Sequence, residues 1–192
     1  MAKEKTDYYP QLYPIARYMI DRRFDRTVTG EENILDEPAV YVPNHIIIED
    51  SPIVAVSFTE TTGRPLRFVA KQEFFDGKGI DDKGKWGRMT RWVVEHTHMI
   101  PIDRESTSPR DLMTFQNTVA HRLRQGDSVA LHPEGTRSDD GKLHKFRSGA
   151  ARIAIAEKVP IVPVGLVYGK YSNNRKTHVD VMFGQPILAE EY

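Results

Sequence analysis

Ala39-Val-Tyr-Val-Pro-Asn-His-Ile-Ile-Ile-Glu-Asp-Ser-Pro52 compresses a strand, a turn and a helix start into one short segment. Ala39 to Val42 reads as a buried strand, and Pro43-Asn44 ends it. Ser51-Pro52 has the form of an N-cap followed by proline at the first helical position. Between these signals stand His45 and Asp50. Five positions apart, they would sit about 140° apart on a helix and on opposite faces of a strand. They meet only if the backbone turns between them, and this segment supplies a turn. His45 then leaves a strand end, while Asp50 waits at a helix start, where a carboxylate is electrostatically favoured. A carboxylate that orients an imidazole makes it a general base able to take a proton from a hydroxyl. Alone, a histidine and an aspartate at this spacing carry little information. The rest of the chain decides their meaning.

The same alternation of strand and helix continues in both directions. Tyr9 to Phe24 has Leu12, Ile15, Tyr18 and Met19 at helical spacing, with Arg17, Arg22, Arg23 and Arg26 close by. Such a helix either packs on its own core or lies on a membrane surface. Ile53 to Thr62 is a second helix, closed by Gly63. Leu66 to Ala70 is a strand. Gly84 to Glu95 is helical, with Trp86, Met89, Trp92 and Val93 as its apolar side. Met99 to Ile102 is a short strand. Ser108-Pro109 caps an amphipathic helix whose stripe is Leu112, Phe115, Val119 and Leu123. Ser128 to Leu131 is a strand, Gly149 to Lys158 a helix, and Ile161 to Val164 and Thr177 to Phe183 are strands. This order predicts a single α/β domain with a largely parallel, mixed sheet flanked by helices. In such sheets ligands sit at the carboxyl ends of the strands.

Composition narrows the function classes. Apolar content of 39% with 28% charged residues is that of an ordinary globular domain. A formal net charge of +0 argues against bulk electrostatic binding, so no nucleic-acid partner is expected. The absence of cysteine excludes disulfides, thiol catalysis and Cys-based zinc sites, and fits a cytosolic setting. Met1 to Asp7 carries charges where a signal peptide would need an apolar core. No stretch reaches the roughly 18 apolar residues that span a bilayer. Work on lipid would therefore proceed from the surface.

Four successive strand ends concentrate chemistry. The first gives Asn44-His45, the second Lys71, and the third Asp103-Arg104. The fourth gives Pro133-Glu-Gly-Thr-Arg-Ser138. Lys71, Arg104 and Arg137 together would form an anion site, arginine being suited to bidentate phosphate binding. Gly135 permits a tight turn that throws Arg137 back into the site, while Glu134 holds Arg137 or a neighbouring amide. His96-Thr-His98 has a spacing that can ligate metal from a strand, but no carboxylate partner accompanies it in the sequence, and no metal is expected.

Asn44-His45 with Asp50, Ile102-Asp103-Arg104, Pro133 to Ser138 and Val159-Pro-Ile-Val-Pro-Val164 stand in the order of four sequence blocks. In that order they resemble the glycerolipid acyltransferase family, which includes the lysophosphatidic acid acyltransferases of the PlsC type. Gly30-Glu-Glu-Asn-Ile34, Lys71 and Phe183-Gly-Gln-Pro-Ile187 are also similar to that family, so the resemblance runs from Gly30 to Ile187. It implies a glycerol-3-phosphate acyltransferase-like fold, with residues 30–192 as the acyltransferase domain and 1–29 as an N-terminal amphipathic helix region in possible contact with a membrane surface. It further implies His45 as general base, Asp50 as its orienter, and a phosphate pocket built from Lys71, Arg104, Glu134, Gly135, Thr136 and Arg137. The acceptor would be a lysophospholipid such as 1-acylglycerol 3-phosphate. The donor would be acyl-CoA or acyl carrier protein, attacked without a covalent acyl-enzyme and without a cofactor. The Val159 to Val164 strand would flank the site. The setting implied is cytoplasmic, peripheral at the inner face of the membrane.

Two features depart from the family pattern. Ile46-Ile47-Ile48 fills a stretch where a small or polar residue is usual, and acceptor choice would be set there. The chain continues only briefly past Ile187, which implies a minimal acyl-length ruler and membrane anchor.

Overall fold

The computed structural model describes residues 6–77, 85–106, 108–169 and 176–188. In chain order the elements are α1 (Tyr9–Arg23), β1 (Phe24–Thr29), β2 (Val40–Pro43), α2 (Asp50–Thr62), β3 (Leu66–Lys71), α3 (Gln72–Phe75) and α4 (Lys85–His96). There follow β4 (Ile100–Ile102), α5 (Pro109–Arg124), β5 (Ser128–Ala130), α6 (Gly149–Glu157), β6 (Ile161–Tyr168) and β7 (Thr177–Phe183). The strands form one sheet in the order β1-β7-β6-β2-β5-β3-β4. Neighbouring pairs are parallel except β6 with β7, which are antiparallel. Five strands therefore share one direction, and β1 and β7 run the other way.

The period of two along each strand sorts the core into two layers. Tyr41, Ala130 and Val162 face α1 and α2, and pack with Ile20, Ile53, Val54 and Phe58. Their chain neighbours Val40, Val129 and Ile161 face α5 and α6, and pack with Phe115, Val119, Leu123, Ile153 and Ala154. Both faces of the central strands are covered. This explains their near-continuous apolar sequence.

Several elements differ from the sequence reading. The strand β1 lies inside residues 1–29, where a helical region outside the domain is expected, and it pairs with β7 from Phe24↔Thr177 to Thr29↔Met182. The boundary at Gly30 thus falls at the end of a sheet strand. Phe24 is 3% exposed and its sequence neighbours alternate, a pattern short enough to be absorbed into the preceding helical periodicity. On α1 the expected stripe points outward: Ile15, Tyr18 and Met19 are exposed, while Tyr13, Ala16 and Ile20 meet the core. On α4, Met89 and Trp92 are exposed and Val94 is buried; the side chain of Trp86 lies outside the described residues. On α5, Leu112 is exposed, whereas Phe115, Val119 and Leu123 are buried as expected. α2 starts at Asp50, so Ser51 and Pro52 lie in its first turn and Ser51 makes no capping bond. The Asp50 N–H donates to Ile47 O (3.3 Å), and this turn starts the helix early.

Two sequence blocks distant in the chain close on each other at the end of β7. Gly30 adopts φ +73°, and a Cβ there would stand 2.0 Å from the Phe183 carbonyl oxygen. Asn33 Nδ2 donates to that same oxygen at 2.9 Å. Ile187 then bonds reciprocally with Ile161, continuing the seam beside β6. Buried Arg67 anchors the other end of the molecule, donating to Asp7, Asp127 and the Thr97 carbonyl. Replacing Gly30 with alanine adds both a strained backbone angle and a backbone clash. Gly30→Ala is expected to lower stability by at least about 2 kcal/mol in urea unfolding; an unchanged midpoint would show that β7 yields freely at this junction.

Candidate active site

The carboxyl ends of β2, β3, β4, β5 and β6 lie along one edge of the sheet, and the residues that follow them assemble there. The loop after β2 is shaped by Asp50, whose side chain is fully buried. Its Oδ2 accepts from His45 Nδ1 (2.9 Å), the Ile46 N–H (2.5 Å) and the Ile47 N–H (2.8 Å). Its Oδ1 accepts from the Tyr168 hydroxyl at the end of β6. Burial, followed by the charge and hydrogen bond of Asp50, pushes the Tyr168 phenol well above its ordinary value, so it stays a donor. Because Asp50 only accepts, Nδ1 of His45 is the donor in that bond, and a neutral ring held this way has its lone pair on Nε2. The imidazole is 17% exposed, and among the described residues nothing bonds its Nε2. This is the geometry of an oriented general base.

Two further groups fix the main chain around His45. Glu134, 5% exposed, accepts from the His45 N–H (2.8 Å) through Oε1 and from the His144 N–H (3.0 Å) through Oε2. The Ser138 N–H donates to the His45 carbonyl at 2.7 Å. Asn44 continues the pairing with β6 through its side chain, accepting from the Leu166 N–H (2.7 Å) and donating to the Leu166 carbonyl (3.0 Å). The loop from Pro133 to Ser138 therefore grips His45 by its backbone. Glu134, expected among the phosphate-binding groups, has both oxygens committed to amides, and a buried carboxylate would repel a phosphate. It belongs to the scaffold of His45.

The cations gather on the outer side of the same loop. Gly135 has φ +74°, and a Cβ there would meet Arg147 Nε at 2.8 Å. Its carbonyl oxygen accepts from Arg104 Nη1. Burial, then the charges of Arg147 and Arg137, push the Arg104 guanidinium below its ordinary value. Three arginines thus crowd one turn, and among the described residues no carboxylate pairs with them. Like charges held together repel, and a bound dianion relieves that repulsion. Thr136 and Arg137 are exposed. Lys71 is exposed at the end of β3, where its backbone is in register with Ile102 of β4, and no described contact joins its side chain to the arginines.

Sequence reasoning passes over Arg147, Tyr168 and His132, and it quotes Asn44 without giving it a role. Tyr168 and the bonds of Asn44 to Leu166 become visible only when β6 extends to Tyr168 rather than ending at Val164. Arg147 is one of many charges in an exposed stretch, and only its place over the open face of Gly135 sets it apart. Among the described residues the metal-ligand atoms of His45, Asp50, His96 and His98 do not converge; Asp139, Asp140 and His144 form an exposed cluster in which Asp140 accepts from Ser138 Oγ, the Lys142 N–H and His144 Nε2.

No helix among the described residues is long and apolar enough to cross a membrane. The sequence profile described as Acyltransferase matches residues 25–167. The chloroplastic 1-acyl-sn-glycerol-3-phosphate acyltransferase BAT2 of Brassica napus is 30% identical over 142 residues, covering 73% of this chain and 36% of that protein. A probable 1-acyl-sn-glycerol-3-phosphate acyltransferase of Mycoplasma pneumoniae is 29% identical over 144 residues, covering 73% of this chain and 48% of that protein. The chain thus spans less than half the length of either relative. The crystal structure of the 1-acyl-sn-glycerophosphate acyltransferase PlsC from Thermotoga maritima superposes with a TM-score of 0.67 at 24% identity, covering 95% of this chain and 70% of that one, and so shares the fold. With the match spanning His45, Asp50, the arginine loop and the strands that carry them, the chain belongs to the Acyltransferase family.

Proposed function

We propose that this protein is an O-acyltransferase that moves a fatty acyl group from acyl-CoA or acyl carrier protein to the hydroxyl of a lysophospholipid such as 1-acylglycerol 3-phosphate. The observation that carries this reading is the juxtaposition of an open imidazole nitrogen with a turn crowded by arginines. His45 Nε2 offers a base, and Arg104, Arg137 and Arg147 offer a dianion site on the loop that also holds the His45 backbone. An acceptor with a phosphate near its hydroxyl satisfies both at once. The relatives named for acylation of glycerol phosphates support the same acceptor class.

The chemistry follows from the groups in place. His45 Nε2 takes the acceptor proton as the oxygen attacks the thioester carbonyl, and Asp50 stabilises the imidazolium that forms. The tetrahedral intermediate collapses with loss of the thiolate, which recovers the proton from His45. Acyl transfer is direct, with one ester formed and one thioester broken. Ile46, Ile47 and Ile48 line the turn beside the base, and Ile47 packs into the core.

Substrate reaches the protein from a membrane surface in this reading. The outward stripe of Ile15, Tyr18 and Met19 on α1, with Arg22 over the Tyr18 ring at 5.9 Å, has the composition of an interfacial helix. Arg23 at its end pairs with Glu49, and the Phe24 ring stands 6.1 Å from that of Tyr168, so this helix abuts the site.

A thiol-release assay with acyl-CoA or acyl carrier protein and 1-acylglycerol 3-phosphate tests the reaction. His45→Ala is expected to lose at least about 100-fold in turnover; a variant that turns over at the parental rate would sink the mechanism. Arg137→Ala is expected to raise the acceptor KM about tenfold or more, with the donor KM unchanged. An acceptor KM that does not move removes Arg137 from phosphate binding, and thiol release without any acceptor would indicate a thioesterase. Serine at Ile15, Tyr18 and Met19 together is expected to abolish flotation with phosphatidylglycerol-containing liposomes; undiminished flotation would place the membrane contact elsewhere.

A further inference from the structure

His132 precedes the Pro133-Glu134 turn and lies flat against the candidate base. Its ring centroid is 3.8 Å from that of His45, with the two planes 9° apart. The Phe68 ring stands 5.8 Å away, tilted at 38°. His132 Nδ1 is 3.1 Å from the Pro43 carbonyl oxygen and 3.2 Å from that of Asn44. Carbonyls only accept, so Nδ1 carries the proton and Nε2 carries a lone pair. At 2.9 Å from Nε2, the Ser51 hydroxyl donates to it. Both ring nitrogens are thereby occupied, and the tautomer is fixed.

A serine hydroxyl donating to a histidine has the outward form of a nucleophile and its base. The surroundings of His132 oppose that role. Burial, then the neighbouring His45, lower it to about 4, where it is a poor base. Its Nδ1 rests on two carbonyls rather than on a carboxylate, and these together with the more distant charge of Asp50 favour an imidazolium less than burial and His45 oppose it. The carboxylate of the site is spent on the other imidazole.

We infer that His132 is a positioning residue: a neutral ring, pinned by Pro43, Asn44 and Ser51, on which the imidazole of His45 is held flat. The need is geometric. A histidine ring turns about a broad χ2 well, and one bond from Nδ1 to Asp50 leaves it free to tilt about that bond. A parallel ring underneath removes the tilt and leaves Nε2 aimed at one place. The pin is local too, because the carbonyls that hold His132 belong to the two residues preceding His45. This inference rests on the reading of His45 as the base.

The test measures kcat and both KM values for His132→Ala, His132→Phe and Ser51→Ala, with His45→Ala alongside. His132→Ala is expected to lose about 10- to 100-fold in kcat with both KM values held. His132→Phe keeps a ring in the stack and is expected to recover most of that loss. Ser51→Ala removes one of the pins and is expected to lower kcat by less than His132→Ala, with no acyl adduct on Ser51 in acid-quenched parental protein. Parental kcat in His132→Ala while His45→Ala is inactive would overturn the positioning role alone. Turnover by His45→Ala would overturn the base itself. An adduct on Ser51 would make the serine and His132 the catalytic pair and end the inference. Equal losses in His132→Phe and His132→Ala would mean that ring stacking is not what His132 supplies.

A stability curve gives a readout that needs no substrate. Between its ordinary 6.5 and about 4, His132 is neutral in the folded protein and protonated in the unfolded chain. The unfolded state then binds more protons, so stability falls as pH drops through that window. His132→Phe is expected to show a shallower decline there than the parent. Parallel curves would show that His132 is not held neutral and would overturn the pinned ring.

Discussion

A fully buried carboxylate is tolerable only when its lone pairs are filled, and Asp50 fills them from two separate parts of the chain. Two amides come from the turn that follows β2, one imidazole from His45, and one hydroxyl from the end of β6. Satisfying this one group dictates much else. The turn must be tight enough to aim consecutive amides inward. Helix α2 must begin at Asp50 rather than beyond it. Strand β6 must run on to Tyr168 to deliver its hydroxyl. An imidazole tautomer suited to proton abstraction then follows from the acceptor-only character of the carboxylate.

Glu134 repeats this logic one loop away. A second buried carboxylate, it joins the main chain of His45 to that of His144. Removing either partner of such a bond leaves an unsatisfied buried group, which costs more than the bond itself contributes. Buried charge in this protein therefore acts mainly as a fastener for loops. The exposed guanidiniums of Arg137 and Arg147 beside it remain open to solvent. That division explains why neighbouring residues of one short motif, Glu134 and Arg137, have opposite relations to water.

The parts of this arrangement that repeat were legible in the sequence. The alternation of strand and helix, the turn at Pro43-Asn44 and the pairing of His45 with Asp50 all rest on local patterns. Lateral placement was not legible. Strand β1 hides at the end of a helical periodicity, because its burial depends on β7 more than 150 residues later in the chain. The outward stripe of α1 satisfies the same spacing as an inward one, and only the position of the sheet decides which side is covered. Glu134 reads as a site residue by proximity to Arg137, but its side chain points across to a backbone 89 residues away. His132 carries no motif at all; its meaning appears only with the ring stacked upon it.

The loop that presents Arg137 also holds His45 by its N–H and its carbonyl. Imidazole and cation are consequently two marks on one ruler, its length written in the bond from the His45 N–H to the Glu134 carboxylate and the bond from the Ser138 N–H to the His45 carbonyl. Side-chain motion can blur either mark, but it cannot slide one along the other. For the acceptor proposed above, such a site would gauge how far apart hydroxyl and phosphate lie as well as what they are. The same hydroxyl moved one carbon further from its phosphate would become, to a protein built this way, a different molecule.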